Sequence, residues 1–159
     1  MKTRAEAVEI ARSWIGTPYV LGGRIKGAGV DCAMLLAEYL IEIGAATRDE
    51  EQRDPVPVYA ADWFHHTTEE RYKFRLLRHA QEIAEAICIG TPAARPGDLV
   101  LFRVAESRVF NHGAIVTAWP RGIHALEERV QEVDLANHAV MAHRAMAVFS
   151  PWKEDHASR

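Results

Sequence analysis

Cys32 stands where a glycine-rich loop, Gly16 to Gly29, gives way to an amphipathic helix, and a thiol in the first turn of a helix is placed to become a nucleophile. The unpaired N–H groups and the positive end of the helix dipole stabilise an anion there, so the proton is lost more readily. Such a thiolate needs a base within hydrogen-bond reach, and the base needs a partner that fixes its tautomer. His112 and His124, each opening a β-rich run, are the histidines offered for those two places. Tyr19, in the loop before the helix, is either ordinary core or a phenol that donates a hydrogen bond to an oxyanion. The alternative for a lone cysteine is a small buried apolar side chain. Cys88, inside the apolar run Ala86-Ile87-Cys88-Ile89, is read that way.

The elements that must position these groups follow from periodicity. Apolar residues at Cys32, Leu35, Leu36, Tyr39, Leu40 and Ile43 trace one helical face, and Gly44 supplies the C-terminal stop. An earlier helix begins at a capping box, Thr3-Arg4-Ala5-Glu6, and buries Ala7, Ile10, Ala11 and Trp14 before Gly16. Thr47 to Asp54 reads as a solvated charged connection, and Pro55-Val56-Pro57-Val58-Tyr59 as extended chain. A helix is expected from about 68 to about 87, with Tyr72, Leu76, Ala80, Ile83, Ala84 and Ile87 as its stripe. The adjacent His65 and His66 before it point to different sides and read as surface rather than as metal ligands.

Beyond Pro96-Gly97 the period changes to that of strands: 99–104, 111–119, 123–126, 130–133 and short strands within 139–149. A turn is expected at Pro120-Arg121-Gly122. If a tight hairpin is centred on Pro120-Arg121, His124 falls opposite Thr117, and contact with His112 requires a bulge, a bend or a wider loop. Helices first and an antiparallel sheet afterwards indicate an α+β fold. The organisation expected is one domain over 1–152, with 47–95 as a helical insertion and 153–159 as a polar tail.

Composition narrows the partners. The chain has 159 residues, 48% of them apolar, and a net charge of −3 with mixed signs. That is enough for one core, and it offers no basic stripe for nucleic acid and no polybasic anchor for a membrane surface. With no apolar segment near the N-terminus and no run of transmembrane length, synthesis in the cytoplasm without a signal peptide and no membrane insertion are expected. Two cysteines outside any C-x-x-C pair are read as reduced.

Taken in order, Gly16-Thr17-Pro18-Tyr19 with Gly22-Gly23, then Asp31-Cys32, then Pro96-Gly97-Asp98-Leu99-Val100-Leu101-Phe102, then His112-Gly113-Ala114-Ile115-Val116 and Ile123-His124-Ala125 resemble the motifs of NlpC/P60 cysteine peptidases. Val30-Asp31-Cys32-Ala33, Trp63-Phe64-His65-His66 with Glu69-Glu70-Arg71-Tyr72, Phe110-Asn111-His112-Gly113 and Phe149-Ser150-Pro151-Trp152 look like the phage cell-wall peptidase and tail-tip branch. The resemblance implies a papain-like core with Cys32 as nucleophile, His112 as base and His124 as its orienting partner. It further implies no cofactor, and cleavage of peptidoglycan stem peptides, commonly between D-glutamate and the diamino acid.

Asp31 matches the aspartate whose neighbourhood receives the stem's free amine, and phage tail proteins are the implied partners. Ala33 replaces the usual serine and Met34 the usual glycine, so the serine hydroxyl contact is missing. The alternatives are a tail-tip structural protein with a weak or inactive site, and an amidase or acyltransferase acting on a substrate other than cell wall. A zinc site from Cys32, His112 and His124 is a further, lesser reading.

Overall fold

The computed structural model describes residues 1–89 and 94–153. Its first helix, α1 (Arg4–Arg12), starts as the capping box requires: the Thr3 hydroxyl accepts from the Glu6 N–H, and the Glu6 carboxylate accepts from the Thr3 N–H at 2.8 Å. Two short strands, β1 (Arg24–Ile25) and β2 (Gly29–Val30), form a small hairpin that delivers the chain to α2 (Cys32–Glu42). Helix α2 ends at Gly44, whose φ of +79° only glycine adopts without strain.

The sheet has six strands in the order β3-β8-β4-β5-β6-β7, every neighbouring pair antiparallel. These are β3 (Gln81–Ala86), β4 (Leu99–Phe102), β5 (His112–Ala118), β6 (Arg121–Leu126), β7 (Arg129–Asp134) and β8 (Met146–Ser150). Both faces are covered. Leu99, Leu101, Ile115, Ile123 and Phe149 pack with Leu35, Leu36 and Tyr39 of α2 in one core, while Val100, Phe102, Ala114, Val116 and Val148 pack with Leu135 and Met141 in a second. Burial on both sides is why β4 and β8 are almost continuously apolar instead of alternating. The architecture is the expected α+β papain-like one.

Three local expectations are corrected. The helix expected from 68 to 87 is a short α4 (Arg71–Leu76), a turn, and then β3, which pairs with β8 along the sheet edge. Its helical spacing of apolar residues lost to the unpaired backbone groups of β8, which Gln81–Ala86 satisfies, while Lys73 of α4 pairs with Glu82 and Glu85. The charged stretch after Thr47 is a helix, α3 (Arg48–Arg53), begun by a second capping box; the 47–95 segment is therefore mixed rather than purely helical. It is tied inward by the buried Glu38, which holds both Arg24 and Arg48, and by Glu51, which holds Arg24 and Arg75. Within 139–149 the only strand is β8, which runs on to Ser150.

Cys88 is also corrected. It is exposed, just beyond the end of β3, and Ile87 beside it is 90% exposed. Of the polar tail expected over 153–159, residues 154–159 lie outside the described residues. Among the described residues no helix is long and apolar enough to cross a membrane.

Candidate active site

Asp31 builds the helix start that carries Cys32. Its extended backbone makes it the N-cap, and Oδ1 accepts from the Met34 N–H at 2.9 Å. Oδ2 accepts from the Gly22 N–H at 2.6 Å and from the Tyr59 hydroxyl at 2.5 Å. One buried carboxylate thus fixes the helix, the glycine loop and the extended 55–59 segment around the sulfur. Any group that reaches Asp31 Oδ2 has to share or displace the Tyr59 hydroxyl.

Cys32 is half-buried, and its thiol donates to the Asn111 carbonyl at 3.8 Å. The Gly113 N–H also points at the sulfur, which therefore sits between the two peptide groups that flank His112. The Cys32 carbonyl accepts from the Tyr72 hydroxyl at 2.9 Å. A Cβ at Gly113 would lie 2.8 Å from both Leu36 Cδ2 and Tyr72 Oη, so a side chain there has to push those two side-chain ends aside. Among the described residues no hydrogen bond joins Cys32 to His112.

His112 opens β5 and His124 lies in β6, both buried, and His112 Nε2 meets His124 Nδ1 at 3.0 Å. A bulge makes this possible. β5 and β6 pair as Ala118↔Arg121, then Val116↔Gly122 and Ile115↔Ile123, leaving Thr117 unpaired. The turn therefore lies at Trp119-Pro120, one residue earlier than expected. An unbulged ladder from Ala118↔Arg121 would oppose His124 to Ile115 and turn it to the wrong face. With the bulge the register opposes it to Ala114, which shares a face with His112.

The resting protonation differs from the expectation that the helix start lowers the thiol pKa. Burial, and then the charge of Asp31, pushes the Cys32 thiol up to about 12, outweighing its hydrogen bonds from Gly113 and Ala33. Burial, followed by His124 and His138, holds His112 down at about 3, and burial with His138 holds His124 at about 4. The carboxylate that starts the helix is the same charge that opposes a thiolate at its first residue. The resting pair is a neutral thiol and a neutral imidazole.

A cavity of about 620 Å³ opens over these groups, with Tyr19, Asp31, Cys32 and His112 in its wall and Tyr59 and Trp63 contributed by the 47–95 segment. Burial and the nearby Cys32 and Asp31 raise the Tyr19 phenol to about 12, so it is a hydrogen-bond donor at any physiological pH. His66 bonds Asp62 at 3.0 Å on the surface. Among the described residues no three His, Cys, Asp or Glu side chains converge so as to hold a metal ion. Tyr59, Tyr72 and His138 are the contacts that periodicity missed. Tyr72 was legible only as a core position, and nothing local to Tyr59 or His138 pointed to Asp31 or His124.

A cysteine at the start of a helix packed on an antiparallel sheet that carries a bonded pair of histidines is the arrangement of a papain-like hydrolase fold. Residues 16–149 match the NlpC/P60 family, and the chain belongs to it. No curated protein sequence matches the chain. Among solved structures it is similar to the NlpC/p60 domain of the peptidoglycan hydrolase SagA, with TM-score 0.58, 20% identity, and 92% of this chain and 97% of that one covered. It is similar to NlpC1 from Trichomonas vaginalis at TM-score 0.56 and 18% identity, over 89% of this chain and 42% of that one. A third similar structure is an NlpC/P60 family protein from Bacillus cereus, at TM-score 0.56 and 16% identity, over 91% and 39% respectively.

Proposed function

We propose that this protein is a cysteine peptidase that hydrolyses an amide bond in peptidoglycan stem peptides. The observation that carries the reading is the 3.0 Å bond between His112 and His124 beside a sulfur that is bracketed by the peptide groups flanking His112. With Nε2 engaged by His124, the ring nitrogen of His112 left for the thiol is Nδ1. Cys32 is the nucleophile, His112 the general base and His124 the residue that orients it.

Because the resting groups are neutral, the proton moves to His112 as Cys32 Sγ bonds to the carbonyl carbon. The negative charge gathers on the carbonyl oxygen, where the Cys32 N–H and the Tyr19 hydroxyl donate. His112 then returns its proton to the departing amine, leaving a thioester on Cys32. A water that gives its proton to His112 attacks that thioester, releasing the carboxylate and restoring the thiol.

Membership of the NlpC/P60 family and likeness to a peptidoglycan hydrolase domain support the substrate class. The bond proposed is that between D-glutamate and the diamino acid, and the setting proposed is a phage or prophage tail that carries the enzyme to the wall. The motif likeness at Trp63 to Tyr72 and at Phe149 to Trp152 favours that setting. The raised Cys32 thiol favours one rival, a tail-tip protein whose site is at rest or inactive.

The test is digestion of purified peptidoglycan by wild type and by Cys32→Ala, with mass spectrometry of the released fragments. New amino and carboxyl ends at the D-glutamate–diamino acid bond with wild type alone support the reading. Equal digestion by both proteins, or none by either, contradicts it, and ends at another bond correct the specificity.

A further inference from the structure

Three imidazoles stand in series. His112 and His124 lie with ring centroids 5.2 Å apart at an interplanar angle of 85°, and His124 and His138 lie 5.1 Å apart at 83°. The proposed function, on which this inference rests, uses the first two and leaves His138 without a role. His138 sits half-buried after β7, and its Nδ1 accepts from the Val140 N–H at 3.3 Å. That bond puts the proton of a neutral His138 on Nε2 and leaves neither ring nitrogen free to accept.

The tautomer of His124 decides whether His112 can act as a base. For Nδ1 of His112 to receive the thiol proton, Nε2 of His112 must already carry one and donate it to His124 Nδ1. His124 must then hold its own proton on Nε2. That nitrogen is buried and has no hydrogen-bond partner in the structure. The opposite arrangement, with the His124 proton on Nδ1, leaves His112 protonated at Nδ1 and unable to accept from Cys32. Taken alone, the pair has nothing to favour the useful state, because an unbonded buried N–H is worse placed than an unbonded lone pair.

We infer that His138 is a positioning residue whose ring face receives the His124 Nε2–H, and so holds the His112–His124 pair in the tautomer that keeps His112 Nδ1 bare. The π face of an aromatic ring is its negative side: it attracts an N–H and repels a lone pair. The rings of His124 and His138 are observed to pack perpendicular; with the His138 face turned to Nε2, as inferred, that packing discriminates between the two tautomers without a conventional acceptor.

The test uses protein labelled with ¹⁵N-histidine and carrying Cys88→Ser, so that Cys32 is the sole thiol. Long-range ¹H–¹⁵N correlation spectra report each tautomer, and the rate of Cys32 alkylation by iodoacetamide reports the base without requiring a substrate. Expected is a His124 protonated at Nε2 in the otherwise wild-type protein. His138→Ala should move it toward the Nδ1 form and slow alkylation by about tenfold or more, and His138→Phe, which keeps the ring face, should preserve both.

A His124 already protonated at Nδ1 overturns the inference. So does a His138→Ala protein with unchanged spectrum and alkylation, or a His138→Phe protein that behaves like it. If the alanine variant does not fold, the unsubstituted spectrum and the phenylalanine variant still decide. Absence of peptidoglycan digestion together with an Nε2-protonated His124 overturns the proposed substrate and leaves the role of His138 standing.

Discussion

His112 and His124 are joined Nε2 to Nδ1 at 3.0 Å across a hairpin whose single unpaired residue, Thr117, brings the two rings to one face of the sheet. Both rings are buried, and burial keeps both neutral in the folded protein.

That neutrality makes stability depend on pH. His112 and His124 are held at about 3 and about 4, whereas an unfolded histidine titrates near 6.5. Between those values the unfolded chain binds more protons, so stability that is complete above about 6.5 is lost as pH falls toward about 4. The half-buried His79, also lowered by burial, acts in the same direction. Thermal or urea unfolding across this range should show midpoints falling with pH. His124→Gln should flatten the slope by up to about one proton. A midpoint independent of pH from 7 to 5 would contradict the burial of the pair.

Asp31→Asn should separate stability from reactivity. Asparagine still caps α2, but its amide group cannot accept from the Gly22 N–H as the carboxylate does, and losing that bond to an exposed loop residue costs about 1 kcal/mol. Removing the carboxylate also removes the charge that opposes the Cys32 thiolate. In a Cys88→Ser background, alkylation of Cys32 near pH 8 should therefore be several-fold faster while the melting midpoint drops. Slower alkylation in a folded variant would mean that Asp31 favours the thiolate.

Tyr19→Phe removes one of the two donors assigned to the oxyanion and leaves the ring where it packs. Loss of an oxyanion donor typically costs about 10²–10³ in kcat. Initial rates of peptidoglycan solubilisation should fall by about that factor with the fold unchanged by circular dichroism. A rate within about twofold of wild type would return Tyr19 to the core.

Much of the frame was legible because it is written locally. Thr3-Arg4-Ala5-Glu6, the Cys32 to Ile43 stripe and Gly44 each carry their own signal, and the observed helices begin and end on them. Residues 81–86 were not, because their strand is dictated by the open edge of β8, far along the chain. The pairing of His112 with His124 could be named but not registered, since the bulge at Thr117 has no local signature. Tyr59 reaches Asp31 from an extended segment that periodicity leaves blank. For the thiol the helix start argues for a lowered pKa, while burial and the capping carboxylate prevail in space.

The most direct measurement is the mass of the enzyme itself during turnover. A soluble stem-peptide fragment is mixed with the protein, quenched in acid within the first turnovers, and the protein is digested and mapped. An acyl group, in thioester linkage, is expected on the peptide that contains Cys32 and none on the peptide that contains Cys88. Cleavage of the fragment with Cys32 unmodified at every quench time, and undiminished in Cys32→Ala, would contradict Cys32 as the nucleophile.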